Sequence, residues 1–271
     1  MDINAIKQRL TQLQNTTTRQ NNLWKPSPGT SVVRIVPYKH NKENPFIEMH
    51  FHYDLGQRTY LSPISFGRPD PIEEFADKLK ASGNKDDWKL GRKLEAKMRT
   101  FVPIVERGKE SDGIKFWGFG KTVYQELLGV IADPDYGDIS DPVNGRDIAV
   151  EFKTAEETGK SFPSTLIRVK PNQTPITEDK DQLKTMFDNQ QNINELYKEL
   201  SYDDLTEVLE NWLNPKDGDD ATTTTSETSN GVAATTAPTT NTGGQKADTA
   251  TATATKTTDD VSQAFDDLFN D

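Results

Sequence analysis

The 271-residue chain predicts an α+β core followed by an unstructured, acidic C-terminal extension, and three observations carry that prediction. Short runs rich in aromatic and β-branched residues, separated by polar connectors, read as antiparallel hairpins. Around them, apolar residues recur at three- and four-residue spacing, the mark of amphipathic helices. Beyond Pro215 the composition turns to Thr, Ala, Gly, Asp and Ser, which cannot bury enough apolar area to fold.

Composition bounds the partners. Hydrophobic residues make up 32% and charged residues 28%, polar for a single compact core, so part of the chain is expected outside it. The net charge of −11 argues against a nucleic-acid binder until its distribution is read. Residues 1–127 hold 21 Lys+Arg against 15 Asp+Glu, a balance of +6, whereas 201–271 hold 3 against 14, a balance of −11. A basic half and an acidic tail is an asymmetry that whole-chain charge conceals. With no cysteine, disulfides and thiolate metal sites are excluded. No run approaches a membrane span, and the first residues lack the pattern of a secretory signal. These features predict a soluble intracellular protein that is not secreted.

In chain order, residues 1–20 read as an amphipathic helix. Ile3, Ile6, Leu10 and Leu13 form its stripe, and Lys7, Arg9 and Arg19 give it positive charge. The stripe packs either on its own core or on a neighbouring molecule. A strand is predicted over Ser31–Pro37 around Arg34, and a second over Phe46–Tyr53. There Ile47, Met49, Phe51 and Tyr53 alternate with Glu48, His50 and His52. Arg58–Leu61 can pair back after the Asp54–Gln57 turn. Helices follow over Pro71–Ala81, with Pro and acidic residues at its start, and over Asp86–Met98, basic along much of its length.

The segment 97–124 concentrates the functional signal. Thr100–Val105 and Ile114–Phe119 flank a polar, Gly-containing connector. Alternation puts Lys115, Trp117 and Phe119 on one face and Ile114 and Phe116 on the other, with Lys97, Arg99 and Lys121 at the strand ends. Rings interleaved with cations suit the stacking of bases and the holding of phosphates without sequence readout. The alternative is a strand buried on both faces with lysines snorkelling at its edge.

A helix over Lys121–Ile131 is expected to turn Val123, Leu127, Leu128 and Ile131 inward. Ala132–Asp141 packs Asp133, Asp135, Asp138 and Asp141 around Gly137. That loop admits a hard cation or plain turn chemistry, and its spacing is not that of an EF-hand. Asp147–Lys153 and Thr165–Lys170 make a second hairpin, with Phe162, Arg168 and Lys170 extending the basic, aromatic surface. Helices are predicted over Asp181–Asn189 and Ile193–Leu213. Residues 259–271 differ from the linker before them: Val261, Phe265, Leu268 and Phe269 stand among aspartates, the composition of a docking peptide that turns helical on a partner. The same acidity would let it compete for a basic groove of its own chain.

WKPSPGTSVVRIVPYK at 24–39, RTFVPIV at 99–105, FWGFGKTVY at 116–124, GRDIAVEF at 145–152 and the terminal DDLFND, in that order, resemble the single-stranded-DNA-binding (helix-destabilising) proteins of T-even-type tailed bacteriophages. The resemblance covers roughly residues 20–213 and the last dozen. It implies a basic N-terminal arm over 1–22 for cooperativity, carried by Ile3, Ile6, Lys7, Arg9 and Leu10. It further implies a core over 23–213, an OB-fold-like five-stranded antiparallel barrel with flanking helices and a small subdomain at about 46–98. A disordered linker over 214–258 and an acidic tail over 259–271 complete the layout. The family's best-known member holds zinc on one His and three Cys. Here the histidine maps to His50, the Cys-Pro-x-Cys pair to Asp70 and Glu73, and the remaining Cys near Ser62. Zinc is therefore not expected, and Phe51, Tyr53, Leu61, Ile64 and Phe66 are expected to hold the subdomain by packing. From the residues alone, His40, His50 and His52 with Asp70, Glu73 and Glu74 leave a zinc site open.

The function expected is non-enzymatic, sequence-tolerant and cooperative binding of single-stranded DNA in phage replication, recombination and repair, in the cytoplasm of the infected bacterium. Arg34, Lys39, Lys97, Arg99, Lys115, Lys121 and Arg168 would neutralise phosphates. Phe101, Trp117, Phe119, Tyr124 and Phe162 would stack on bases. Neighbouring copies of the chain would line up along the strand. Phe265, Asp266, Asp267, Leu268 and Phe269 would recruit DNA polymerase, helicase loader or recombinase. The rivals are a single-stranded RNA binder or translational repressor on the same fold, a metal-dependent nuclease using Asp133–Asp141, and an acidic adaptor without a nucleic-acid role.

Overall fold

The computed structural model describes residues 22–56, 58–214 and Phe265. Among the described residues eight strands form one sheet: β1 Leu23–Trp24, β2 Gly29–Ile35, β3 Ile47–Leu55, β4 Arg58–Leu61, β5 Lys97–Glu106, β6 Lys115–Phe119, β7 Arg146–Lys153 and β8 Ser164–Gln173. The main path runs β1-β6-β5-β2-β7-β8, and β3 pairs with β4 and β5. Every pairing with a defined register is antiparallel except β1 on β6. Six α-helices lie among the described residues: α1 Pro71–Ala81, α2 Lys85–Leu94, α3 Lys121–Ala132, α4 Ala155–Thr158, α5 Lys180–Asp188 and α6 Tyr202–Leu213. None is long and apolar enough to cross a membrane.

The α+β class stands, with eight strands where five were expected. The two-residue β1 and the one-turn α4 are too short to leave a periodic signal. The helix expected over Ile193–Leu213 is instead a 3₁₀ turn, Ile193–Leu196, and a separate α6. Ser201 starts α6 with a reciprocal capping box, its hydroxyl accepting from Asp204 N while Asp204 accepts from Ser201 N.

The chain divides into two units, Met1–Met49 with Met98–Lys198, and His50–Lys97 with Glu199–Asp271. In the first, central strands bury both faces. One face carries Val33, Ile35, Val102, Ile104, Trp117, Phe119, Ile148 and Val150, closed by Val123, Tyr124 and Leu127 of α3. Val123 and Leu127 of α3 are buried as expected, together with Tyr124, whereas Leu128 and Ile131, a turn nearer the helix end, are exposed, contrary to expectation. The opposite face carries Val36, Val105 and Ile114 under Ile176 and Met186.

In the second unit, α1 turns Ile72, Phe75, Ala76 and Leu79 inward, at i, i+3, i+4 and i+7. Asp70 caps it, accepting from Ile72 N and Glu73 N. α2 crosses close to α1 at Gly91. A Cβ there would stand 2.6 Å from the Ala76 carbonyl oxygen, so only glycine fits. Leu205 and Leu209 of α6 complete this core.

Candidate nucleic-acid interface

Four of the five rings expected to stack on bases are interior. Phe101, Trp117, Phe119 and Tyr124 are each at most 9% exposed. Trp117 packs edge-on against Trp24, with centroids 5.6 Å apart, and against Phe119 at 4.7 Å. Tyr124 donates its hydroxyl to Glu48 at 2.8 Å; burial first, then the carboxylate, pushes its pKa up to about 12. Phe101 lies against Tyr197, and its ring sits so close over Gly118 that a Cβ there would meet it at 2.7 Å. The strand buried on both faces is the correct reading of this hairpin. β5 and β6 sit inside the sheet, where alternation separates two covered faces instead of core from solvent.

The expected phosphate-binding cations separate likewise. Arg34 is fully buried, its guanidinium donating to Asp147 at 2.8 Å and to the Thr174 carbonyl at 2.7 Å. Burial lowers its pKa and Asp147 opposes that shift. Arg107 shares the same Asp147 oxygen at 2.9 Å, so Arg34 is spent on an ion network inside the fold. Arg99 donates to the Gly118 carbonyl at 2.8 Å, and Lys115 pairs with Asp112 at 2.8 Å. Lys39 and Lys97 are exposed but donate to the Asp188 and Arg92 carbonyls, both at 3.0 Å. Lys121 is exposed in the first turn of α3.

Rings open to solvent lie elsewhere. In the second unit, Trp88 on α2 is 50% exposed, with the Arg92 guanidinium 5.8 Å from its ring centroid. Residues four apart share a helix face, which places Arg92 over Trp88. Lys85, Lys89 and Lys93 are exposed on the same helix. Its N-terminus is capped by Asn84, and Asp86 and Asp87 follow in the first turn, where carboxylates oppose the helix dipole. Asp86 pairs with Lys89 at 2.8 Å and Glu95 with Arg92 at 2.7 Å. The positive charge of this helix is legible in the sequence, and the signal for its tryptophan is a lone ring among polar neighbours, off the Leu90–Leu94 stripe.

In the first unit, Phe162 of the β7–β8 connection is 54% exposed. Leu166, Arg168 and Lys170 alternate along the outer face of β8, all exposed. Arg168 reaches Glu151 at 3.3 Å across the pairing, a loose contact in water. Phe162 and Arg168 are thus the sequence-selected residues that the fold presents to solvent together on one hairpin.

The histidines and acids form no metal cluster: among the described residues no group of three His, Asp or Glu is placed to hold an ion. His52, on the Glu48 and His50 side of the alternation, is fully buried, and it takes the place assigned to His50 beside Asp70. Its Nδ1 lies 2.7 Å from the Leu94 carbonyl oxygen and its Nε2 2.9 Å from Asp70 Oδ2. Ser62 donates to the same oxygen, and Ile72 N and Glu73 N to the other. Burial pushes the Asp70 carboxyl up, but His52, Ser62 and the Ile72 amide outweigh it and hold the group below the ordinary carboxylate range. Glu73 turns away to accept from Ala96 N. A hydrogen-bonded knot, joined by packed Phe51 and Leu61, therefore ties β3, α1 and the end of α2. In the 132–141 loop, Asp133, Asp138 and Asp141 accept from the backbone amides of Asp135, Ser140, Val143 and Asn144, which is turn chemistry.

The arm residues Ile3, Ile6, Lys7, Arg9 and Leu10, the linker beyond Asn214, and Asp266, Asp267, Leu268 and Phe269 lie outside the described residues. The chain matches no protein-family model and no curated protein sequence.

Proposed function

We propose that the protein binds single-stranded DNA with little regard to sequence. The carrying observation is Trp88, a half-exposed indole beneath a guanidinium on a helix bearing three further exposed lysines. A base stacks on such a face while Lys85 and Lys93, which hold no carboxylate among the described residues, take its phosphates, and a duplex hides the base face. Phe162 with Arg168 and Lys170 supplies a second ring-and-cation surface. The antiparallel strands β2, β5, β6, β7 and β8 are read as the OB-fold-like barrel, a frame on which loops and sheet faces hold oligonucleotides. The order of motifs, basic half and acidic tail support a role in phage replication, recombination and repair. In that role copies align through the N-terminal arm and the tail recruits replication proteins. No catalytic step is assigned.

Anisotropy titration of labelled oligo-dT tests this. Wild type should bind with affinity that falls steeply with salt, and Trp88→Ala should weaken binding about 5- to 150-fold, the equivalent of roughly 1–3 kcal/mol for one stacked base. An identical affinity for the variant would remove the tryptophan from the interface. Oligo-U of equal length, bound equally well, would extend the substrate to RNA.

A further inference from the structure

Phe265 stands 52 positions beyond Leu213, the last residue of α6, yet it is 5% exposed. Its ring meets Phe75 edge-on, with centroids 6.0 Å apart and planes at 74°. It belongs to the apolar cluster of the second unit, with Ala76 and Leu79 of α1 and Leu205 and Leu209 of α6. The residue that composition marks as the centre of a partner-docking peptide is therefore seated in a cleft of its own chain. Residues 259–271 carry five aspartates and no lysine or arginine, and of the two lysines in the last turn of α1 Lys78 is exposed while Lys80 is held by Asp77 and Glu95, so the seat selects by its apolar surface.

We infer that the α1–α6 cleft is a receptor for the C-terminal segment, with Phe265 as its anchor, so that the residue a partner needs is held in cis. The seat is apolar and helical, with Leu94 of α2 in the same cluster. A partner that captures the tail must displace Phe265 from Phe75, and whatever fills the cleft releases the tail; the two events are linked and reciprocal. The tethered tail competes at an effective concentration on the order of 1 mM, so a micromolar free peptide enters only when the tethered anchor is gone.

The test uses full-length protein, no nucleic acid, and a fluorescein-labelled peptide of residues 259–271, so its outcome is separate from that of DNA binding. Full-length Phe265→Ala should bind the peptide at least tenfold more tightly than wild type. A peptide carrying Phe265→Ala should lose at least tenfold on the same variant. Phe265→Leu, which keeps an apolar anchor, should exclude the peptide as wild type does. Sedimentation should give a monomer across concentrations. Equal peptide affinity for wild type and Phe265→Ala, indifference to the peptide's own phenylalanine, or a dimer that depends on Phe265 would each overturn the inference, the last by placing a second copy's tail in the cleft.

Discussion

Two stretches of this chain mix rings with cations, and the fold treats them oppositely. Residues 97–124 bury Phe101, Trp117, Phe119 and Tyr124. Helix α2 exposes Trp88 and crowds it with lysine and arginine. The strand stretch looked the richer candidate because a period of two sorts residues onto two faces, but the period is blind to what covers each face. The helix stretch has one apolar stripe, Leu90 and Leu94, so a large ring off that stripe must face water or another molecule. An aromatic residue is informative about binding when the local periodicity already accounts for the core without it.

That contrast is broken most forcefully at Trp117. Trp117→Ala should destabilise the fold by about 3–5 kcal/mol, since it empties a fully enclosed site against Trp24 and Phe119. Urea unfolding should show the loss, while oligo-dT affinity per folded molecule stays at the wild-type value. A variant that folds normally and binds DNA poorly would restore the hairpin as the binding surface.

Next in size is the buried knot of the second unit. Asp70→Ala leaves His52, Ser62 and two amides without their acceptor and should cost about 3 kcal/mol. Because the folded Asp70 titrates below its ordinary value, its contribution is complete at neutral pH. It drains as pH falls through that ordinary range and is gone below the folded value. The gap in urea midpoint between wild type and Asp70→Ala should accordingly be smaller at pH 3 than at pH 7.

The α+β class and most strand and helix positions of the described residues were legible, because they rest on local periodicity. Three things were not. Arg34 reads as a surface cation within a branched strand, and only the distant Asp147 and Thr174 make it interior. His52 reads as one of three polar residues opposite the apolar side of its strand, and only Asp70 and the end of α2 supply its partners. Phe265 reads as a hook for other proteins, and its cleft is assembled from helices that start 194 and 63 positions earlier, at Pro71 and Tyr202. Each depends on a contact across long sequence separation, which no window over the chain contains.

The smallest expected effect sharpens the contrast in charge instead of rings. Lys93 on α2 is exposed and has no ion-pair partner among the described residues, whereas Lys115 in the hairpin already holds Asp112. A lysine that neutralises a phosphate releases counterion, lowering the slope of log affinity against log salt by about 0.7 per contact on a single strand. Lys93→Gln should therefore flatten the slope of oligo-dT binding by about that amount and weaken binding only a few-fold at moderate salt. Lys115→Gln should leave the slope where it was, since its charge is spent on Asp112 before any DNA arrives. The reverse pattern would move the phosphate track from the helix back to the sheet.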